Sequence, residues 1–227
     1  MPATHGKQFT LYSHTGGPNG WKVVFVLEAL ELSYETIYLD FSKNEQKAPE
    51  HTKYNPNGRI PTLIDHHNND FAIWESCAIM LYLAEKYDKD KKIYSSDFNE
   101  RALINQYLFF QASGQGPYFG QAFWFAKYHP EKIQSAIDRY KKEMIRVFGV
   151  LETILADKEW LVAGKPTIAD FAFITWDLPV DDGFLNGFEN FNAEKDFPLF
   201  YKWHKRVSAV PSVKRVLETR AKLLGKK

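Results

Sequence analysis

The sequence predicts an α/β domain at the N-terminus followed by an all-helical domain. Three observations support this division of the 227 residues. The first forty residues follow a strand-helix-strand pattern, two short apolar runs between 62 and 74 indicate a hairpin, and nearly everything after residue 92 has helical periodicity. A charged segment, Asp88–Lys92, separates the two patterns. We therefore place the first domain at residues 1–88, a linker at 89–97 and the helical domain at 98–227.

The first supersecondary unit is a β-α-β crossover. Gln8–Ser13 alternates like a short strand, His14–Gly20 is a loop, and Trp21–Leu32 carries apolar residues at helical spacing. Glu35–Leu39 is a second strand. Two strands joined by a helix in this way are expected to be parallel, with a right-handed crossover.

The second unit is built differently. A weak helical patch at Pro49–Tyr54 is followed by the turn Asn55–Gly58. Thr62–Asp65 and Phe71–Trp74 flank a polar segment and are expected to form an antiparallel hairpin. Ser76–Tyr87 then has helical periodicity. The order β-α-β-α-β-β-α within ninety residues indicates a thioredoxin-like domain.

The helical domain has four main predicted helices: Asn99–Phe110, Glu131–Leu155, Ile168–Trp176 and Pro198–Ser208. Thr167 and Asp170 are spaced as a capping box in which Asp replaces Glu. We assign that box to folding.

Composition excludes several functions. A formal net charge of +1 favours neither nucleic acid nor an anionic membrane. Cys77 is the only cysteine, so an intramolecular disulfide and a cysteine-based metal site are excluded. His66 and His67 lack partners at metal-ligand spacing, and no metal is expected. No apolar run approaches the roughly 18 residues of a membrane span, and Met1–Gln8 has no apolar signal core. We expect a cytoplasmic protein.

Pro61 lies where a strand should begin. A proline has no N–H to give to a sheet, so it is found either at a strand's first residue in the trans form or in a special backbone geometry. A cis Ile60–Pro61 bond would turn the peptide groups of Ile60 outward. Those groups could pair with the backbone of an extended peptide. The motifs that accompany Pro61 favour the cis form.

Glu75 and Ser76 stand at the start of a predicted helix. The Ser76 hydroxyl and the helix N–H groups suit a carboxylate, and Glu75 can accept from an ammonium group. The pair therefore suits a ligand group that carries both charges. The alternative is an ordinary helix cap.

Asn19 lies in the loop before the first helix, where its amide can donate to a sulfur atom. A hydrogen bond to a charged group contributes about 1.5–3 kcal/mol, or about one to two pKa units. A thiol of pKa about 8.5 would then be mostly thiolate at neutral pH, and the thiolate is the nucleophile. The alternative is that Asn19 caps the helix.

Three segments together resemble the glutathione transferases: Pro18–Val23, Asn55–Pro61 and Ile73–Ser76. The resemblance runs from Phe9 to about Leu223. It is specific to the fungal branch related to the yeast prion-type nitrogen regulator, and it extends to the bacterial nu-class enzymes. It implies the glutathione transferase fold, glutathione as a substrate, and a homodimer.

The resemblance assigns roles by position. Asn19 stands where the branch places the residue nearest the glutathione sulfur, and Arg139 where a residue can reach glutathione across the dimer. The remaining glutathione contacts are Glu75 and Ser76 at the γ-glutamyl group, Ile60 at the cysteinyl backbone, and Arg59 and Gln46 at the glycyl end.

Aromatic residues cluster between Tyr107 and Tyr128. Phe119, Phe123 and Trp124 could form the wall of an apolar acceptor pocket, and packing in the domain core is an equal alternative. No tyrosine, serine or cysteine stands where other classes place their sulfur partner, and Gly17 replaces a threonine found in bacterial relatives.

The resemblance implies a detoxification or stress-response enzyme. Its thiolate would attack a small apolar electrophile, a peroxide or a glutathione mixed disulfide. The alternative is a catalytically weak glutathione-binding regulator that acts through protein partners. The long Asn/Gln-rich arm of the yeast regulator has no counterpart in this sequence, which favours the enzyme.

Overall fold

The computed structural model describes residues 5–178 and 183–225. Within them the strands are β1 Phe9–Ser13, β2 Tyr34–Tyr38, β3 Thr62–Asp65 and β4 Phe71–Trp74. The α-helices are α1 Pro18–Ala29, α2 Pro49–Thr52, α3 Ser76–Tyr87, α4 Phe98–Phe110, α5 Gly116–Phe123, α6 Gln134–Ile154, α7 Ile168–Asp177, α8 Ala193–Asp196, α9 Pro198–Ser208 and α10 Pro211–Leu223.

The four strands form one sheet in the order β2-β1-β3-β4. β1 and β2 are parallel, as the crossover predicts, with Phe9 opposite Tyr34. β3 is antiparallel to both β1 and β4, with Thr62 opposite Tyr12 on one side and Trp74 on the other. This is the predicted thioredoxin-like sheet with its hairpin.

The chain divides into two compact units. The first contains the sheet and α1 to α3, and it extends to Tyr94. It also contains α10, because that helix packs against α1. The expected division placed all of residues 98–227 in the helical domain, whereas in the structure the last helix belongs to the first compact unit. The fully buried Phe9, Leu11, Val23 and Phe25 belong to the core of this unit.

The second unit, Ser95–Ala209, is helical. Its core is aromatic: the rings of Phe119 and Phe200 both contact Phe148, and Phe200 also contacts Trp203. The capping box at Thr167 and Asp170 is present at the start of α7, as predicted. Two π-helical segments, Gln111–Gln115 and Trp124–Tyr128, flank α5.

Several boundaries differ from the sequence-based expectation. α1 begins at Pro18, three residues early, because proline is well tolerated in the first turn, where its missing N–H has no partner to lose. For the same reason Pro117 is tolerated at the start of α5. The glycines around Pro117 are typical of loops, so the sequence did not indicate a helix there. α10 also begins with a proline and was not predicted.

Candidate functional site

Four loops leave the sheet at the same end of its strands, and they carry the predicted glutathione contacts. Ser13 ends β1 and is paired with Tyr38, the end of β2. Thr62 begins β3 beside Tyr12 and opposite Trp74, the end of β4. The loops after β1, after β2, before β3 and after β4 therefore start at neighbouring positions. Together with the first turns of the helices that follow them, these loops hold Asn19, Gln46, the Arg59–Ile60 pair and the Glu75–Ser76 pair, respectively.

The first loop is held close to the sheet. A Cβ atom at Gly20 would lie 1.9 Å from the Ser13 hydroxyl oxygen, so only glycine lets α1 approach the end of β1. A Cβ at Gly17 would lie 2.9 Å from Ile60 Cδ1, which places this loop against the residue before Pro61. The Trp21 indole N–H donates to the carbonyl of Thr15, 2.9 Å away, and fixes the loop to its helix.

Asn19 is the second residue of α1, and Gly17 occupies the cap position. The alternative interpretation, in which Asn19 is the helix cap, therefore does not describe the helix. Asn19 and Lys22 are three residues apart and so share one face of α1.

The Ile60–Pro61 bond is cis, as predicted. The loop before it is anchored from inside the protein: the Asn55 side-chain amide donates to the carbonyl of Arg59 at 2.8 Å and to the hydroxyl of Thr62 at 2.9 Å. His51 contacts the same hydroxyl through Nε2 at 2.9 Å. Among the described residues the amide and carbonyl of Ile60 have no hydrogen-bond partner. They remain available to an extended backbone.

Gln46 lies beside the same loop. It belongs to the 3-10 turn Glu45–Lys47. A Cβ at Gly58 would lie 3.0 Å from the carbonyl oxygen of Gln46, and Gly58 itself has a positive φ of 58°. The side-chain Oε1 of Gln46 is buried without a hydrogen-bond partner among the described residues. Arg59, next to Gly58, is exposed.

Glu75 has a backbone conformation that few side chains adopt, with φ 71° and ψ 113°. Such conformations cost about 1–3 kcal/mol and concentrate at functional sites. Its side chain is exposed, whereas Ser76, the first residue of α3, is 6% exposed. The ammonium of Lys22, which is 1% exposed, donates to the Ser76 hydroxyl oxygen at 3.1 Å.

The second unit holds the residues predicted for the acceptor pocket and the dimer contact. Phe119 is fully buried against Phe148, so it belongs to the core and does not line an open pocket. Phe123 packs on Phe184 with ring centroids 4.1 Å apart, and Trp124 is 48% exposed. Arg139 is exposed on α6.

Three residues that support the site were not singled out from the sequence. They are Lys22 behind Ser76 and the pair His51 and Asn55 behind the cis-proline loop. The position of Lys22 between the apolar residues Trp21 and Val23 was an available signal. The contacts of His51 and Asn55 depend on tertiary folding, and nothing in their local sequence indicated them.

Two further findings concern a membrane span and a metal site. No helix in residues 5–178 and 183–225 is both long and apolar enough to cross a bilayer. In that same part of the chain, no group of histidine, cysteine and acidic side chains is arranged to hold a metal ion.

Comparisons with known proteins identify the family of the chain. The family models for the N-terminal and C-terminal domains of glutathione S-transferase match residues 7–85 and 117–211. Glutathione S-transferase 1 of Schizosaccharomyces pombe is 54% identical in an alignment of 225 positions that covers 96% of this chain and 98% of that protein. The transcriptional regulator URE2 of Saccharomyces cerevisiae is 39% identical over 92% of this chain and 67% of its own.

A solved structure is similar over nearly the whole chain. The glutathione transferase URE2P6 of Phanerochaete chrysosporium, in complex with oxidized glutathione, superimposes with a TM-score of 0.93 and is 56% identical. The match covers 97% of this chain and all of that one. The chain therefore belongs to the glutathione transferase family, in the fungal branch that includes the URE2-related proteins.

Proposed function

We propose that this chain binds glutathione at the end of the sheet from which the four loops leave. The thiolate of the bound glutathione is then the nucleophile. The observation that carries the proposal is the convergence of four loops. Together they offer a group suited to each part of the tripeptide. The related URE2P6 was crystallised with oxidized glutathione, which supports the same ligand here.

Each ligand group has a matching protein group. The exposed Glu75 carboxylate would accept from the γ-glutamyl ammonium, and Ser76 with the start of α3 would bind the α-carboxylate. The main chain of Ile60 would pair with the cysteinyl unit as an added strand does. Arg59 would pair with the glycyl carboxylate, and the side-chain amide of Gln46 would donate to the same end of the ligand.

Asn19 is proposed to donate to the sulfur. The first turn of a helix carries a partial positive charge, and a side-chain N–H adds a direct hydrogen bond. Both effects favour the thiolate over the thiol. The thiolate could attack an electrophilic carbon and expel a leaving group. It could instead attack the O–O bond of a peroxide, which gives a sulfenic acid and an alcohol, and the thiolate of a second glutathione would then displace hydroxide to form glutathione disulfide. With a glutathione mixed disulfide, attack on the glutathionyl sulfur would expel the other thiolate and give glutathione disulfide directly.

The second substrate is proposed to be a small apolar molecule, with Phe123 and Trp124 as the acceptor-pocket residues that remain from the sequence-based set. We further propose that the protein is a cytoplasmic homodimer in which Arg139 reaches the partner's glutathione. Sedimentation at micromolar concentration would test the dimer, and Arg139→Ala would test that contact.

The proposed activity is tested with three acceptors: a chloronitrobenzene, cumene hydroperoxide and a small glutathione mixed disulfide. We expect turnover above the uncatalysed rate with at least one of them, because one thiolate serves all three reactions. The similarity to URE2 favours a second candidate, a glutathione-binding regulator with little activity. Tight glutathione binding without turnover of any acceptor would favour the regulator.

Ser76→Ala should weaken glutathione binding by about 1–2 kcal/mol, since one charge-assisted hydrogen bond is lost while the helix N–H groups remain. Calorimetric titration measures the change. Ser96→Ala, which removes the hydroxyl of an exposed serine, is the matched control and should bind as the wild type does. Unchanged affinity in Ser76→Ala would mean that the carboxylate binds elsewhere.

A further inference from the structure

Lys22 is a charged residue in an apolar environment. It is 1% exposed, and both of its neighbours in sequence, Trp21 and Val23, are buried. Its ammonium lies 3.1 Å from Ser76 Oγ and 3.9 Å from Cys77 Sγ. Burial lowers the pKa of Lys22, while Cys77 and Glu75 act in the opposite direction. An ammonium in this position is unfavourable for folding unless its contacts offset the loss of water.

The contact with Lys22 fixes the role of the Ser76 hydroxyl. An ammonium has only donors, so Ser76 Oγ must accept from it. The single hydrogen of the hydroxyl then has to be donated to another group. Ser76 is also the first residue of the twelve-residue helix α3, where the backbone N–H groups at the helix start point outward. Hydroxyl and amide donors are therefore available at the same place.

We propose that Lys22 is a positioning residue for the γ-glutamyl α-carboxylate of glutathione. It holds the Ser76 hydroxyl as a donor and keeps a positive charge directly behind it. Asn19 and Lys22 share a face of α1, so one helix serves both the sulfur and the γ-glutamyl end of the ligand. The inference rests on the proposed glutathione site.

The test compares two ligands in wild type and Lys22→Met, a variant of similar length without the charge. One ligand is glutathione, and the other is 4-aminobutanoyl-cysteinyl-glycine, in which hydrogen replaces the α-carboxylate. We expect Lys22→Met to bind glutathione about tenfold more weakly, the scale of a lost charge-assisted interaction. Binding of the analogue should change less than twofold, because it lacks the group that Lys22 serves.

A stability measurement separates this role from a structural one. The thermal midpoint of Lys22→Met is measured as well, because a purely structural role would change stability without changing the preference between the two ligands. Lys89→Met, at an exposed lysine of the same unit, is the matched control and should leave both affinities unchanged. If Lys22→Met does not fold, Lys22→Gln keeps a donor for Ser76 and should still discriminate less between the two ligands than wild type does.

Two results would overturn the inference: equal losses of affinity for both ligands, or glutathione affinity in Lys22→Met equal to that of the wild type. Failure of the wild type to bind glutathione at all would be a different outcome. It would overturn the proposed function, and this inference with it.

Discussion

Asp170→Ala is expected to lower the free energy of unfolding by about 3–5 kcal/mol, because it leaves several buried donors without an acceptor. The carboxylate is fully buried and accepts four hydrogen bonds. The backbone amide of Leu161 and the indole N–H of Trp203 donate to Oδ1 at 3.0 and 2.9 Å. The amide and hydroxyl of Thr167 donate to Oδ2 at 2.9 and 3.0 Å.

These four bonds join separate parts of the second unit. Leu161 lies in the segment before α7, Thr167 caps α7, and Trp203 is in the middle of α9. Burial raises the pKa of Asp170, and the hydrogen bonds from Leu161, Trp203 and Thr167 lower it. The donors therefore offset only part of the cost of burying the charge, since the pKa stays above its usual value, and an alanine loses all of them together.

Urea unfolding followed by circular dichroism measures the effect. For a chain of this length a loss of 3–5 kcal/mol corresponds to a midpoint about 1–2 M lower. Asp157→Ala, at an exposed aspartate, is the control and should shift stability by less than about 0.5 kcal/mol. A loss below about 1 kcal/mol in Asp170→Ala would show that Asp170 does not join these segments as described.

The capping box could be read from the sequence, but the contact with Trp203 could not. Thr167 and Asp170 are three residues apart, and local spacing alone predicts their mutual hydrogen bonds. Trp203 is 33 residues further along the chain. Its contact exists only after α7 and α9 have packed. Local patterns therefore predicted the first turn of α7. The contribution of Asp170 to the stability of the second unit could be recognised only from the structure.

The same distinction applies to the candidate site. Alternation and helical spacing predicted β3, β4 and α3 with the bounds that the structure has, and the motifs that accompany Pro61 predicted the cis bond. The contact of Lys22 with Ser76 was not predicted, because a charged residue in a helix is usually expected to be exposed to solvent. Phe119 was left undecided between pocket and core, because both environments suit a phenylalanine.

The last helix shows where chain order misleads. Residues 211–223 are separated from the first unit by the entire second unit, and sequence continuity assigned them to the helical domain. In the structure α10 packs against α1. Amphipathic periodicity indicates that a helix has an apolar face, but it does not indicate which partner covers that face.

Asn19→Ala is expected to reduce turnover at neutral pH by about ten- to a hundredfold, the equivalent of the 1.5–3 kcal/mol of one hydrogen bond to a charged group. Glutathione affinity should stay within about 1 kcal/mol of the wild type, because the proposed γ-glutamyl and glycyl contacts do not involve Asn19. The loss should therefore fall on the rate and not on binding.

The position of Asn19 supports this separation. Gly17, and not Asn19, is the cap residue of α1. The loop before it lies against Ile60, the residue proposed to pair with the cysteinyl backbone. A donor in the first turn of α1 is then near the sulfur of a ligand bound in that register, where the helix also favours negative charge.

The decisive measurement is the ultraviolet absorbance of the thiolate of bound glutathione as a function of pH. In Asn19→Ala the pKa of the bound thiol should rise by about one to two units relative to wild type. Asn99→Ala is the matched control, because Asn99 is also the second residue of a helix, α4, and is exposed. It should change neither the pKa nor the rate. A thiol pKa in Asn19→Ala equal to that of the wild type would show that Asn19 does not stabilise the thiolate, and the nucleophile would need another donor.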